Sequence, residues 1–424
     1  MRVVIVGSGL SGLIMGHCLH QAGIHDFVIL ERRPDPVERS GSVIGLFPQT
    51  FRILDQLDLL EGVQKLSPPL KDWIHLDPRG QTIYHGDFFA LLEKNHGHPS
   101  TLAMRRELME ILYSRLPDRE KRVIASKEVV GIEQDDSSVT VTCADGSAHT
   151  GDILVGCDGV RSAVRRSVMP EPPKSKAEYR GLFGSSPLPA GLAPACITET
   201  HNSGIVFMIL CSQDRAFWLI TNVKDKGESD SRKYSDQDIQ ALIVDKYQDH
   251  SVALDGNVTF GDLWRTRNVA GGGPGMYDYL EGFAERWYRQ RVVLVGDAAH
   301  MMTPNLGQGG NNSIEDVASL VNQLHALLRD NPSPTTAELE GAFARYQKQR
   351  EKQVKTIAGI TGNYTRWTSW RNWVGWFMQF WMWPLVGDGF VVNWLLSPMI
   401  RESIKLDFVE EKRLRVGKVA WKYT

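Results

Sequence analysis

The chain has no surplus of charge, few thiols and no long apolar run, and each shortage removes a class of function. Lys and Arg number 48 against 50 Asp and Glu in 424 residues, a formal net charge of -2. That balance gives no general pull toward nucleic acid. The five cysteines are Cys18, Cys143, Cys157, Cys196 and Cys211. They are odd in number, scattered and without a C-x-x-C pair. Reduced thiols in a cytosol-facing protein are expected, with no disulfide frame and no metal site. The first strand-like run starts at Arg2, so no signal peptide is expected. No repeat or low-complexity tract occurs. Of the two uncharged runs near the C-terminus, Trp373–Gly387 and Gly389–Ile400, neither reaches the roughly 18–20 residues that span a bilayer. What remains is a chain long enough to bury a large core in two or three structural units.

The chain opens with Val3-Val-Ile-Val-Gly7-Ser-Gly9-Leu-Ser-Gly12. Four strand-forming residues run straight into a glycine turn. Gly7 permits the turn, Gly9 lets backbone approach a pyrophosphate, and Gly12 lets the next helix pack on the strand. Residues 10 to 23 are helical in pattern, so their free N–H groups face the phosphates. A second strand, Phe27-Val-Ile-Leu30, ends in Glu31. A carboxylate about 20 residues past the glycines accepts hydrogen bonds from ribose hydroxyls. This pattern alone does not separate FAD from NAD.

A later stretch does. Val292-Val-Leu-Val295 is a buried-type strand with Gly296-Asp297 at its carboxyl end, where ligands of open α/β sheets sit. A carboxylate there can bind the ribityl chain of a flavin. Pro304 to Asn312 forms a small-residue loop, and the helix after it can stabilise negative charge on a reduced flavin. Between these lies Asp152-Ile-Leu-Val-Gly-Cys-Asp158-Gly159, on its own a strand and a turn. Strands are expected near 122–131 and 138–143, as a hairpin around Asp135 and Asp136. Glu171 to Lys174 reads as a crossing. Tyr179-Arg-Gly-Leu-Phe-Gly, Gly204–Cys211 and Ala216–Asn222 then read as an antiparallel sheet. The run from Lys224 to Lys233 reads as a solvated loop. Ala337 to Ile360 is helical.

In this order the three glycine-aspartate segments resemble the FAD monooxygenases of the aromatic-hydroxylase superfamily, which draw hydride from NADPH or NADH. Ser42–Leu57, Phe260-Gly-Asp-Leu-Trp264, Leu280-Glu-Gly-Phe and the Trp-rich end look like the fungal meroterpenoid and indole-alkaloid branch. The resemblance implies an α/β chain. A Rossmann-type FAD domain over 1–175 and 286–335 would hold an inserted antiparallel substrate sheet at 176–285, with a helical C-terminal region at 336–424. It implies that Asp297 holds the ribitol and that Pro304 and Gly310 lie against the isoalloxazine. Asp158 is associated there with FAD and nicotinamide, and Arg105, ahead of Leu108, with the flavin chain. Arg32, Gly45 and Gly307 complete the expected cofactor set. Reduced flavin and O2 would form a C4a-hydroperoxide, and an arginine of the Tyr179-Arg180 segment would position or protonate. On its residues alone Arg180 also reads as a salt-bridged strand arginine. The implied activity is epoxidation or hydroxylation of an apolar prenylated, terpenoid or indole-type metabolite. Two alternatives stay open: a salicylate-type hydroxylase of small phenols, and a flavin-binding protein without oxygenation.

The last sixty residues carry Trp367, Trp370, Trp373, Trp376, Trp381, Trp383 and Trp394. Short helices are expected. Two readings stand side by side: a membrane-surface contact through 367–400, and core helices closing the substrate chamber.

Overall fold

The computed structural model describes residues 1–37, 42–169, 175–228, 232–269 and 273–423. The β-branched run Val3–Val6 lies at the heart of a six-stranded sheet. It pairs in parallel with Phe27–Leu30 on one side and Ile153–Gly156 on the other, and Val292–Leu294 follows in parallel next to Ile153–Gly156. All four strands are buried, as continuous apolar runs in parallel sheets require. The helix Leu10–Gln21 packs on this sheet against the long helix Gln308–Asp330.

The hairpin falls later than expected. Its strands are Val129–Gln134 and Val139–Cys143, around Asp135, whereas Val123–Ile124 joins the flavin-side sheet beside Phe27–Leu30. The Glu171–Lys174 crossing lies outside the described residues.

The second sheet has eight strands, in the order His300–Met301, Gly275–Phe283, Ser175–Pro187, Arg215–Val223, Ile205–Cys211, Cys196–Asn202, Asp72–Leu76 and Thr82–Gly86. Residues 176–285 therefore do not make it alone. Asp72–Leu76 adds in parallel to Cys196–Asn202, and Thr82–Gly86 forms the edge. One face carries Tyr179, Leu219, Thr221, Met208, Glu199, Trp73 and His75, and turns toward the flavin-side domain. The other carries Arg180, Leu182, Trp218, Ile220 and Phe207, covered by residues 236–265. The solvated loop expected from Lys224 needs correction, with residues 229–231 outside the described set. Lys224 is buried and pairs with Asp278 at 3.0 Å.

The helix Thr336–Thr368 starts on a capping box of Thr335 and Glu338, and runs eight residues beyond the expected Ile360. Short helical segments follow from Trp373 to Ile400, kinked at Gly387. Residues 401–423 contain no helix, so the C-terminal region is helical only to Ile400. This tail is strapped to the flavin-side domain. Arg52 binds Glu411 at 2.7 Å, and Gln56 donates to the Leu406 carbonyl at 2.7 Å.

Candidate flavin and substrate site

The phosphate end is built from backbone. Gly7 has φ +102°, and a Cβ there would stand 2.6 Å from the Cys157 carbonyl oxygen. A Cβ on Gly12 would meet the Gly7 carbonyl at 1.9 Å, so only glycine permits the helix to sit so close. A Cβ on Gly9 would meet nothing within 4 Å: the space above it is open. Gly9 is also the N-cap of Leu10–Gln21, with no side chain capping it. Its free N–H groups and the dipole end suit a phosphate. Glu31 is buried beside them. Its Oε2 accepts from the Ser8 N–H at 2.9 Å and the Ser8 hydroxyl at 3.0 Å, and Oε1 accepts from the Arg33 N–H at 2.9 Å. A carboxylate has about four lone-pair positions, so capacity remains for a ribose hydroxyl. Arg32 is exposed.

The flavin end converges on the same helix start. Gly296 has φ +63°, and a Cβ there would press on the hydroxyls of Ser313 at 2.5 Å and Ser11 at 3.0 Å. This places Asp297 between the first helix and Gln308–Asp330. Burial raises the Asp297 carboxyl above its ordinary range, while His300 and Arg105 pull it back. Arg105 is thus within electrostatic reach of Asp297, whereas neighbouring Arg106 points outward and pairs with Glu110 at 2.7 Å. Gln308–Asp330 starts on Gly307, left-handed at φ 63°, again without a side-chain cap. Gly307 faces Gly45, since a Cβ on it would lie 3.8 Å from the Gly45 Cα. Gly310 sits against Leu10 and Ile44.

Asn311 clamps these pieces together. Its amide nitrogen donates to the Gly45 carbonyl at 2.8 Å and the Gly307 carbonyl at 2.7 Å, and its oxygen accepts from Phe47 N–H and the Thr50 hydroxyl. Sequence reading passed over Asn311. The only signal for it was a polar residue in the first turn of that helix. Beneath lies a buried strut in which Arg350 binds Asp316 at 2.7 Å and Glu315 at 2.9 Å, and Asp316 binds His300 at 2.6 Å. His300 is therefore packed and paired. Two uncapped helix starts, glycines where backbones must approach a ligand, and the Asp297–Arg105 pair form a donor set that fits FAD.

Two expected residues have their side chains engaged by other partners. Asp158 spends its carboxylate locally, on the Ser162 hydroxyl and the backbone N–H groups of Ala163 and Val164. It stands at the start of the short helix Val164–Val168, and its Cα lies 3.1 Å from where a Cβ on Gly7 would be. Arg180 requires a correction. Strand alternation turns it away from the flavin-facing side. There it is 3 % exposed, donating to Asn222 at 2.9 Å and Glu228 at 2.7 Å. A guanidinium on the far face of the sheet cannot reach a group on the near face. Tyr179 does face the near side, buried, its Oη 3.2 Å from the Ser369 hydroxyl; burial raises its pKa.

A narrow cavity of about 100 Å³ runs from this loop to the C-terminal helices. Phe47, Leu306 and Gln308 line its flavin end; Trp73, Tyr364 and Trp383 line the other. Two carboxyls, Glu315 and Asp388, lie on its wall, and among the described residues no Lys or Arg does. Burial, and the nearby Asp87 carboxylate, push Asp388 up to about 6. The wall also carries one member of a group that the sequence did not reveal: His75, with Glu199 and His201 behind it, all buried.

Residues 1–356 match the family model described as an FAD binding domain. The chain is 34 % identical over 362 residues to the FAD-dependent monooxygenase janM of Penicillium janthinellum, covering 83 % of this chain and 74 % of that protein. It is 32 % identical over 371 residues to the FAD-dependent monooxygenase paxM of Penicillium paxilli, covering 83 % and 76 %. Among solved structures, HpxO of Klebsiella pneumoniae complexed with FAD and uric acid superposes with a TM-score of 0.76 at 21 % identity, over 94 % of this chain and 96 % of that one. The 2,6-dihydroxypyridine-3-hydroxylase of Arthrobacter nicotinovorans superposes with a TM-score of 0.69 at 19 % identity, over 87 % and 92 %. These two likenesses speak for the fold.

Proposed function

Given that the chain belongs to the FAD-dependent monooxygenases, we propose that it inserts one oxygen of O2 into an apolar prenylated, terpenoid or indole-type secondary metabolite, by epoxidation or hydroxylation, with NADPH or NADH as reductant. The observation that carries the substrate class is the cavity wall. A small phenolate or carboxylate would call for a cation, and this wall has two carboxyls and no Lys or Arg among the described residues. Its aromatic and aliphatic lining suits a neutral, greasy molecule held by burial, at about 25 cal/mol per Å² removed from water.

Bound FAD would supply the electrons that activate O2. The chain's own residues do the rest. The two helix starts hold the phosphates and the ring edge, with Asp297 and Arg105 holding the chain between them. The cavity excludes water and fixes the substrate against the Gly307–Gly310 loop. Tyr179 keeps its proton on Oη at the flavin-facing side, and Arg180 takes no part. The test is NAD(P)H oxidation and oxygenated product, measured on the FAD-loaded protein with prenylated phenols, terpenoids, indoles and salicylate. Coupled turnover on the apolar panel is expected. Coupled turnover on salicylate alone would move the chain to the phenol-hydroxylase class. A flavin that no nicotinamide reduces would leave only the non-oxygenating reading.

A second observation supports docking to the cytosol-facing surface of a membrane. From Trp373 to Ser397 the usual order is reversed. Trp373, Leu385 and Trp394 are 75 %, 80 % and 73 % exposed, while the polar Gln379, Asp388 and Ser397 point inward. No helix is long and apolar enough to cross a membrane. Aromatic side chains facing outward on short helices suit the lipid–water boundary. Trp383 is excluded from that face, because it lines the cavity. Cosedimentation with liposomes tests this reading, and a protein that stays wholly in the supernatant overturns it.

A further inference from the structure

Three donors meet where the cover sheet touches the C-terminal helices. His75 comes from Asp72–Leu76, and Glu199 and His201 from the adjacent Cys196–Asn202; Glu199 pairs directly with His75 in the register. One donor atom from each lies within 4.8 Å of the others. His75 Nδ1 and His201 Nε2 stand 3.0 Å apart, and His75 Nδ1 is 3.9 Å from Glu199 Oε2. All three side chains are buried.

The surroundings are arranged as an outer shell. His201 Nδ1 donates to the Thr368 carbonyl at 2.9 Å, which leaves a lone pair on Nε2 directed at the cluster. Trp73 Nε1 and the Tyr364 hydroxyl both donate to Glu199 Oε2, at 3.0 and 2.5 Å. Glu199 Oε1 is buried with no hydrogen-bond partner among the described residues. Gln379 reaches in from a segment otherwise rich in outward-facing aromatics. It is 2 % exposed, and its carboxamide lies 3.2 Å from His75 Nδ1 and 3.4 Å from His201 Nε2. The two ends of a carboxamide are interchangeable by rotation, so its oxygen can take that position. Finally, no Lys or Arg among the described residues is paired with Glu199. A buried carboxylate without a counter-charge is costly.

We propose that His75, Glu199 and His201, with the Gln379 carboxamide as fourth donor, form a binding site for a divalent transition cation of the zinc class. Two imidazoles and a carboxylate, with outer hydrogen bonds on His201 and Glu199, are the donor set that such cations take. Donors around a tetrahedral ion with bonds of about 2.0–2.1 Å stand a little over 3 Å apart. The histidine pair already has that spacing, and a small rotation of Glu199 supplies the third ligand. The cation provides the charge that Glu199 lacks. It ties the substrate sheet to the C-terminal helices through Gln379 and Thr368, beside the cavity that His75 lines. Its role is structural, because every donor comes from the protein.

The experiment uses the full, FAD-loaded chain, freed of any affinity tag, grown with zinc and dialysed. Metal is counted by plasma mass spectrometry against flavin absorbance. One zinc per FAD is expected. Glu199→Gln and His201→Phe should keep FAD and lose the metal. Gln379→Leu, which keeps the packing volume, should weaken zinc binding by about 10–100-fold; it serves as the probe should the other variants fail to retain FAD. Protein with a full flavin complement that carries no stoichiometric zinc, and takes up none on titration with zinc chloride, would overturn the proposal. The cluster would then be a hydrogen-bonded lock. Zinc retained undiminished in all three variants would overturn it equally, by placing the metal elsewhere.

Discussion

Two buried polar clusters hold this molecule together, and they balance charge in opposite ways. Under Asp297, Arg350 stands between Glu315 and Asp316 with His300 at the end, and the described side chains there are bonded to one another at 2.6–2.9 Å. Burial alone would raise Asp316, but His300 and Arg350 more than offset it, and its carboxyl lies below the ordinary range. Under the C-terminal helices, His75, Glu199 and His201 are equally buried but have no Lys or Arg partner among the described residues. Burial lifts Glu199 to about 7, against the pull of Tyr364 and Trp73, and drops His201 to about 4. In the first cluster one guanidinium meets both carboxyls. The second is short of one positive charge, which is why it, and not the first, is a place for a cation.

The sharpest way to break this contrast is to remove the guanidinium. Arg350→Met leaves two buried carboxyls facing one another, and breaking a buried pair in this way costs about 3–5 kcal/mol. Chemical denaturation of the FAD-loaded protein should show that loss, with weakened flavin retention because the strut carries the Gly296-Asp297 turn through Asp316. A variant as stable as the parent would mean that the strut is dispensable.

Arg180→Met tests an intermediate case, a buried guanidinium whose partner Glu228 is partly exposed. Hydrogen bonds to charged groups are worth about 1.5–3 kcal/mol, and a loss of that order is expected. Flavin content and the ratio of product to NAD(P)H consumed should hold. Peroxide release at the expense of product would return Arg180 to the reaction.

These cases also show what could be read from the chain. Gly7, Gly12 and Gly296 were legible because each lies in a contiguous segment whose backbone geometry demands glycine, and Glu31 and Asp297 follow from their place beside those turns. Tyr179 and Arg180 are adjacent, and only the pairing of strands decides which of them faces the flavin side. Asp158 read as a ligand-binding acid, and its carboxylate also accepts from N–H groups five and six residues on, a local role that the sequence did not signal. His75 and Glu199 are brought together by a parallel pairing between strands 124 residues apart, for which no local pattern exists. The reversed polarity of 373–400 was half visible. The tryptophan density was plain, but Gln379 and Asp388 as the inward-facing residues required the folded sheet beneath them.

A pH series separates the clusters further. Glu199 has a raised folded pKa, so in the metal-free protein its favourable contribution is complete below its unfolded value, near 4.5, and fades as pH rises through about 7. His75 and His201 are shifted down by burial, so their contribution is present above about 6.5 and fades on acidification. Subtracting the profile of Glu199→Gln isolates the carboxyl. The parent should lose up to about 1.4 kcal/mol per pH unit relative to the variant between those values. Saturation with zinc should reverse the sign, since the metal binds the carboxylate and not the acid. A difference profile that stays flat with and without zinc would show that Glu199 does not titrate in this window.

The smallest effect on stability should come from the most conspicuous side chains. Trp373, Trp381 and Trp394 project from the C-terminal helices, each more than half exposed. Their apolar surface is already in water, so folding gains little from it, and surface substitutions of this kind stay within about 0.5 kcal/mol. Replacing all three with serine should therefore leave the denaturation midpoint and the flavin spectrum nearly unchanged. The same change should abolish cosedimentation with liposomes, where those rings would leave water for the lipid boundary. Gln379→Leu makes the opposite alteration in the same segment: it touches the buried side and should leave liposome binding intact. If the triple serine variant instead unfolds early, the outward rings are holding the fold, and the reversed polarity of this segment is a matter of packing and not of lipid.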